Sequence, residues 1–194
     1  MTGLVLPVSG SIAEARGLAL PLPFWPAAPA ILTRRSGGDR EPPDPTDMQA
    51  EIHRQPLAVA PDWQAEAVRL WREHRDLDPV FVDRLDAAGI LGRCVVLSTD
   101  DNGQLAFRRI GEPTVRFFGR DWAAGRLGRP HIEDPFSVFA QQIDAEYRAA
   151  IDGGEPVLNR LVVHGLARPF IYSHLLLGYA RPSGRKAVFV LVDY

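Results

Sequence analysis

The sequence has one lysine, Lys186, and one cysteine, Cys94, and each scarcity excludes something. A lone thiol forms neither an internal disulfide nor a cysteine metal cage, and it suits a reducing compartment. With lysine almost absent, arginine carries nearly all the positive charge. Lysine codons are AT-rich, so this bias points to a GC-rich bacterial genome and carries no chemistry. An excess of one charge is also missing. A formal net charge of −2 argues against bulk electrostatic binding to nucleic acid or to an anionic membrane. The apolar stretch from Gly17 to Leu32 is broken by Pro21, Pro23, Pro26 and Pro29. Proline at that density cannot continue a helix, so no membrane span is expected there. Glu14 and Arg16 precede the stretch, where a secretory signal would need a basic start. The resulting expectation is a cytoplasmic protein.

Residues 1–60 hold nine of the 17 prolines, and the piece from Arg34 to Pro45 is polar and rich in breakers. Such a composition buries no core, so residues 1–60 read as a proline-rich, disordered extension. Two other readings stay open. Leu18 to Leu32 docks in extended form on the domain or on a partner, with Phe24 and Trp25 as anchors; or translation begins at Met48. Residues 61–90 read as two N-terminal helices. Trp63, Ala67, Leu70, Trp71 and His74 recur at spacings of three and four, which puts them on one face of a helix from Asp62 to Asp76. Val80, Phe81, Leu85 and Ala88 form a shorter one, closed by Gly89.

Residues 91–194 carry the rest of the pattern. Cys94 to Ser98 is rich in β-branched residues and reads as a strand, with Cys94 as a small buried hydrophobe. Asn102-Gly103 is a hairpin turn leading into Leu105 to Ile110. Glu112 to Phe118 is a short helix with Pro113 in its first turn and Gly119 at its end. Phe136 to Asp152 carries an apolar stripe of Phe136, Phe139, Ala140, Ile143, Tyr147, Ala150 and Ile151 and is the longest helix expected. Three strands follow: Val157 to Leu166, Phe170 to Tyr179 and Ala187 to Val192. They are apolar on both alternating faces, so the sheet needs a cover on each side. The Phe136–Asp152 helix covers one; the Asp62–Asp76 helix, or a second subunit, covers the other. The fold class is α+β: five antiparallel strands, short helices and one long helix on one face, plus the N-terminal helix.

Arg108, Arg109 and Gly111, then Phe118-Gly119-Arg120-Asp121 with Gly125, then Gly154-Glu155-Pro156, occur in an order that resembles a short, stand-alone alphaproteobacterial subfamily of PAS domains. Leu70 to Arg75 and Asp78-Pro79 resemble its leading helix and Asp-Pro step. The resemblance covers Ala65 to Asp193. It departs at Glu112, where the family often has Ser or Thr, and near Gly178, where it often has a proline. It implies a regulatory domain in bacterial signalling that works by protein–protein association, as a homodimer or with a signalling partner. The alternative is a sensor with a small molecule between the sheet and the long helix; a small α+β enzyme is a minor third reading.

No cofactor is expected. A haem-binding PAS domain presents a histidine on the long helix, and Phe136–Asp152 has none. A photoactive flavin domain needs a cysteine among the short helices, and Cys94 lies on a strand. There is no Gly-x-Ser-x-Gly, P-loop or His-Glu-x-x-His motif, so no catalytic residues are assigned. His164 and His174 are at most two metal ligands on adjacent strands, and no metal site is expected. The pocket candidates are Arg109, Glu112, Phe118, Asp121, Trp122, Tyr147, Arg160 and His174. The interface candidates are Trp63, Leu70 and Trp71.

Overall fold

The computed structural model describes residues 48–75, 79–166, 168–181 and 184–194. The readings made for residues 1–47, including the docking segment with Phe24 and Trp25 and the start at Met48, lie outside the described residues. The fold is α+β, with a six-stranded antiparallel sheet. Its strands are β1 (Gln49–Gln55), β2 (Cys94–Thr99), β3 (Leu105–Arg109), β4 (Val157–His164), β5 (Phe170–Ala180) and β6 (Lys186–Asp193). They lie side by side in the order β1-β4-β5-β6-β2-β3. The helices are α1 (Asp62–Glu73), α2 (Pro79–Ala87), α3 (Glu112–Phe118), α4 (Arg120–Arg126) and α5 (Ser137–Gly153).

One expectation is corrected. The sheet has six strands, not five, because β1 forms where a disordered extension was expected. Its backbone groups pair along β4, from Gln49 opposite His164 to Gln55 opposite Leu158. Ala50 and Ile52 pack on the α5 side, and the Ala50 N–H donates to Gln142 Oε1 of α5 at 2.7 Å. Met48, 2% exposed, is the first buried residue of the described chain. The strand runs from Gln49 to Gln55, with Pro56 just past its end.

The layers follow the reading in which the Asp62–Asp76 helix covers the second face. Helices lie on both faces of the sheet, because every central strand is apolar on both sides. On one face, Leu70 and Trp71 of α1 and Phe81 and Leu85 of α2 pack with Leu175, Leu177 and Tyr179 of β5 and Phe189 and Leu191 of β6. On the other, Ile143, Tyr147, Ala150 and Ile151 of α5 pack with Leu161, Leu176, Val188 and Val190. The second cover is thus this chain's own α1 and α2. Leu70 and Trp71 are 5% and 2% exposed and take no part in a free surface. Trp63 is partly buried beneath the Arg93 guanidinium, 4.1 Å from its ring centroid. The three interface candidates are consumed by intrachain packing.

The glycine-rich stretch after β3 is chain punctuation. Gly119 has φ +93 and joins α3 to α4, a left-handed conformation that side chains disfavour. Gly178 does a different job. A Cβ there would lie 2.3 Å from the Ala150 carbonyl oxygen, so its bare backbone is what lets α5 settle on β5. From the opposite layer, the Trp71 indole N–H donates to the Gly178 carbonyl at 3.2 Å.

Cys94 is fully buried on the α1 face. Burial pushes its thiol up to about 12. A thiol that is protonated and inaccessible does not react. The native protein is expected to resist a thiol-labelling reagent at mildly alkaline pH and to label stoichiometrically once denatured. Rapid labelling of the native state would show that β2 is not packed as described.

Candidate functional site

The cavity of interest lies between the sheet and the layer formed by α3, α4 and α5. It has a volume of about 80 Å³. Short helices are what make it. Pro113 starts α3 and Gly119 ends it within two turns, so α3 and α4 bridge the space between β3 and α5 without filling it. Their aromatic residues form one wall. Phe118 stacks on Trp122 with centroids 4.3 Å apart, and Phe117 stacks on Phe170 of β5 at 4.6 Å. Phe170 in turn meets Tyr194, whose hydroxyl donates to the Pro113 carbonyl at 3.1 Å. Phe117 and Phe170 are only partly buried and Tyr194 is exposed, so these three rings form the rim.

The inner wall is polar at a few points. His131, in a 3-10 turn before α5, and His174, on β5, both line the cavity and are 4% and 1% exposed. His131 is held directly by α5, and His174 through Asn159 of β4. His131 Nε2 lies 2.7 Å from Asp144 Oδ1, and Asp144 Oδ2 accepts from Arg148 Nε at 2.5 Å. His174 Nε2 lies 3.1 Å from Asn159 Nδ2, which also donates to Glu146 Oε2 at 2.7 Å. Glu146 is paired at the surface with Arg54 of β1 at 2.9 Å. Two polar chains thus run from surface arginines through α5 carboxylates to two buried imidazoles.

Their protonation follows from burial and partners. Burial pushes His174 down to about 3. Burial also outweighs the Asp144 carboxylate at His131, whose pKa is lowered. Both rings are therefore neutral at pH 7. Glu146 is an acceptor, so the Asn159 group beside it is the NH₂; this NH₂ donates to His174 Nε2 and leaves the proton on His174 Nδ1. At His131 the Nε2–H donates to the Asp144 carboxylate, which leaves Nδ1 as an acceptor. For Asp144, burial pulls the carboxyl up, but Arg148 and His131 together hold it below its usual value. Asp134 is raised by burial, against the pull of the Phe136 N–H and the Trp122 indole it accepts from. Burial also raises the phenols of Tyr147 and Tyr172, so both stay protonated.

His174 predicts a pH dependence. The folded state takes up its proton only near pH 3, whereas the unfolded chain takes it up below about pH 6.5. Stability is therefore lost as pH falls through that window, by about 1.4 kcal/mol per pH unit for one such group. His131, also lowered, adds to the loss in the same direction below its ordinary value. Urea unfolding across this range should show the slope, and His174→Leu should make it shallower by about one proton. An unchanged slope would mean that His174 is not held neutral.

Four of the eight pocket candidates line this cavity: Phe118, Trp122, Tyr147 and His174. The other four do not. Arg109 turns away and donates from Nε to the Leu91 carbonyl at 3.1 Å. Glu112 is exposed and paired with Arg116 along α3. Asp121 is exposed in the first turn of α4. Arg160 is exposed on β4 and alternates with Asn159 and Leu161, which face α5, so it belongs to the opposite face of the sheet. His164 does not face His174 either: it pairs with Gln49, while His174 pairs with Asn159. Among the described residues no group of three or more potential ligands could hold a metal ion, and no helix is long and apolar enough to cross a membrane.

The pocket candidates did not include His131, Asp134, Phe139, Phe170 and Tyr172, all of which line the cavity. One signal was present: Tyr172 and His174 alternate on the same face of a strand as Gly178, the residue on which α5 rests. Neither the protein-family models, nor the curated proteins, nor the solved structures include a match to this chain.

Proposed function

We propose that this chain is a regulatory sensor domain of the PAS type, whose ligand is a small molecule held between the sheet and α5. The observation that carries this reading is the polar content of an otherwise aromatic cavity. Tyr147, Tyr172, His131 and His174 all line it, and no hydrogen bond among the described residues uses the two hydroxyls or the two Nδ1 atoms. A mostly apolar pocket with a few polar groups on its wall is the usual form of a small-molecule site. The PAS assignment rests on the sequence resemblance. The short helices between β3 and α5, and the long helix lying over the last three strands, support it.

Association with a second copy or a signalling protein was suggested by a sheet with two apolar faces. Both faces are covered within this chain, so ligand sensing takes precedence. Native mass spectrometry of freshly purified protein tests it, together with Ala140→Leu. Ala140 lines the cavity, and a leucine there fills it. A bound mass that disappears in this variant, and a melting temperature that rises on adding the released compound, are the expected results, since a ligand that binds only the folded state stabilises it. A compound that binds the filled variant equally well would place the site elsewhere and overturn the proposal.

A further inference from the structure

We propose that the cavity selects a neutral, single-ring compound bearing a hydroxyl or cyclic-amide group, and rejects carboxylates and ammonium ions. This rests on the cavity being a ligand site at all, as proposed above.

The charge comes first. No arginine or lysine lines the cavity, and its one lining carboxylate, Asp134, is already engaged by the Trp122 indole and the Phe136 N–H. Asp144 stands immediately behind His131. An anionic ligand would enter a dry site that offers no cation and has two carboxylates nearby, and an unpaired buried charge costs several kcal/mol. A quaternary ammonium would need open aromatic faces. Here four of the lining rings are stacked in pairs, Phe118 on Trp122 and Phe117 on Phe170, which leaves fewer faces for a cation.

The hydrogen-bonding capacity is complementary. Of the polar residues that line the cavity, His174 offers an Nδ1–H donor, His131 an Nδ1 acceptor, and the Thr114, Tyr147 and Tyr172 hydroxyls can do either. A hydroxyl, or a lactam with its adjacent N–H and C=O, can meet a donor and an acceptor at once without carrying charge. Size sets the last limit. A dry cavity of about 150 Å³ holds benzene in a protein core, and this one measures about 80 Å³. One ring is therefore the upper bound, and even that requires Phe117 or Phe170 to swing outward at the rim.

Four probes of one ring each test the selection: phenol, toluene, benzoate and benzyltrimethylammonium, titrated calorimetrically at neutral pH. Phenol is expected to bind roughly tenfold more tightly than toluene, a difference of about one hydrogen bond, with benzoate and the ammonium ion giving no measurable binding. In His174→Leu the preference for phenol should fall to about twofold or less while toluene still binds. Should that variant not fold, Tyr147→Phe/Tyr172→Phe serves instead. It removes only two hydroxyls without protein partners, so it should fold normally and lose most of the same preference. Benzoate or the ammonium ion binding as tightly as phenol would overturn the selection while leaving the cavity as a ligand site. So would equal binding of phenol and toluene. Failure of all four probes to bind would overturn the ligand site together with the selection.

Discussion

Gly178→Val is expected to abolish folding, and Gly178→Ala to lower stability by about 3 kcal/mol, the upper end of ordinary overpacking costs. The reason is a backbone contact. A Cβ at this position would lie 2.3 Å from the carbonyl oxygen of Ala150 and 2.5 Å from its carbonyl carbon. A flexible side chain could move aside, but a helix backbone moves only as a unit. Here α5 cannot retreat without uncovering Ile143, Tyr147 and Ile151. The opposite side of the strand is no freer, because the Gly178 carbonyl receives the Trp71 indole. For a domain of this size the alanine variant should melt roughly 10 °C lower. Gly125→Ala is the control. Gly125 lies inside α4, where an added Cβ meets nothing within 4 Å, and alanine should stabilise the helix by about 0.5–1 kcal/mol. Thermal unfolding followed by circular dichroism reads both. Equal, small effects at the two glycines would mean that α5 does not rest on β5 as described.

Trp71→Ala is expected to cost about 3–5 kcal/mol, as truncation of a large buried ring does. Trp71 is 2% exposed, meets Tyr179 edge-on with centroids 6.1 Å apart, and carries the Arg75 guanidinium over its outer face at 4.3 Å. The variant also leaves the Gly178 carbonyl without its indole donor. This result separates two roles for α1. A residue serving an interface between chains would, on truncation, weaken association and leave the folded chain intact. A residue closing the core lowers the chain's own unfolding free energy at any protein concentration. We expect the second. Denaturant midpoints that are unchanged by the mutation, together with a loss of self-association, would return Trp71 to the surface.

Four of the pocket candidates lie away from the cavity for one reason. Arg109, Glu112, Asp121 and Arg160 drew attention as charges near glycines or among apolar strands, but the direction a side chain takes depends on strand register and helix rotation. Arg160 shows this most simply. It follows Asn159, which does reach a cavity histidine, and the alternation of a strand sends it to the opposite face. Trp63, Leu70 and Trp71 were correctly placed on one apolar stripe, yet a stripe does not say whether its cover is the chain's own sheet or another subunit. β1 was overlooked because Gln49 to Gln55 contains only Ala50 and Ile52 as inward apolar residues; pairing with β4, not its own pattern, makes it a strand.

What the sequence determined by itself is local. The hairpin turn at Asn102-Gly103, the short helix from Glu112 to Phe118 stopped by Gly119 and the long apolar stripe of α5 all depend on neighbours within a turn or two of chain. At that range, backbone sterics and periodicity are sufficient. Only the tertiary structure decided which aromatic rings wall the cavity, which carboxylates stand behind His131 and His174, and that both faces of the sheet are covered from within. Those features join residues far apart in sequence: Arg54 to Glu146, Glu146 to Asn159, and Trp71 to Gly178. They exist because a sheet apolar on both faces must be buried twice, and the geometry of that double burial is set by strand order and register rather than by any single segment.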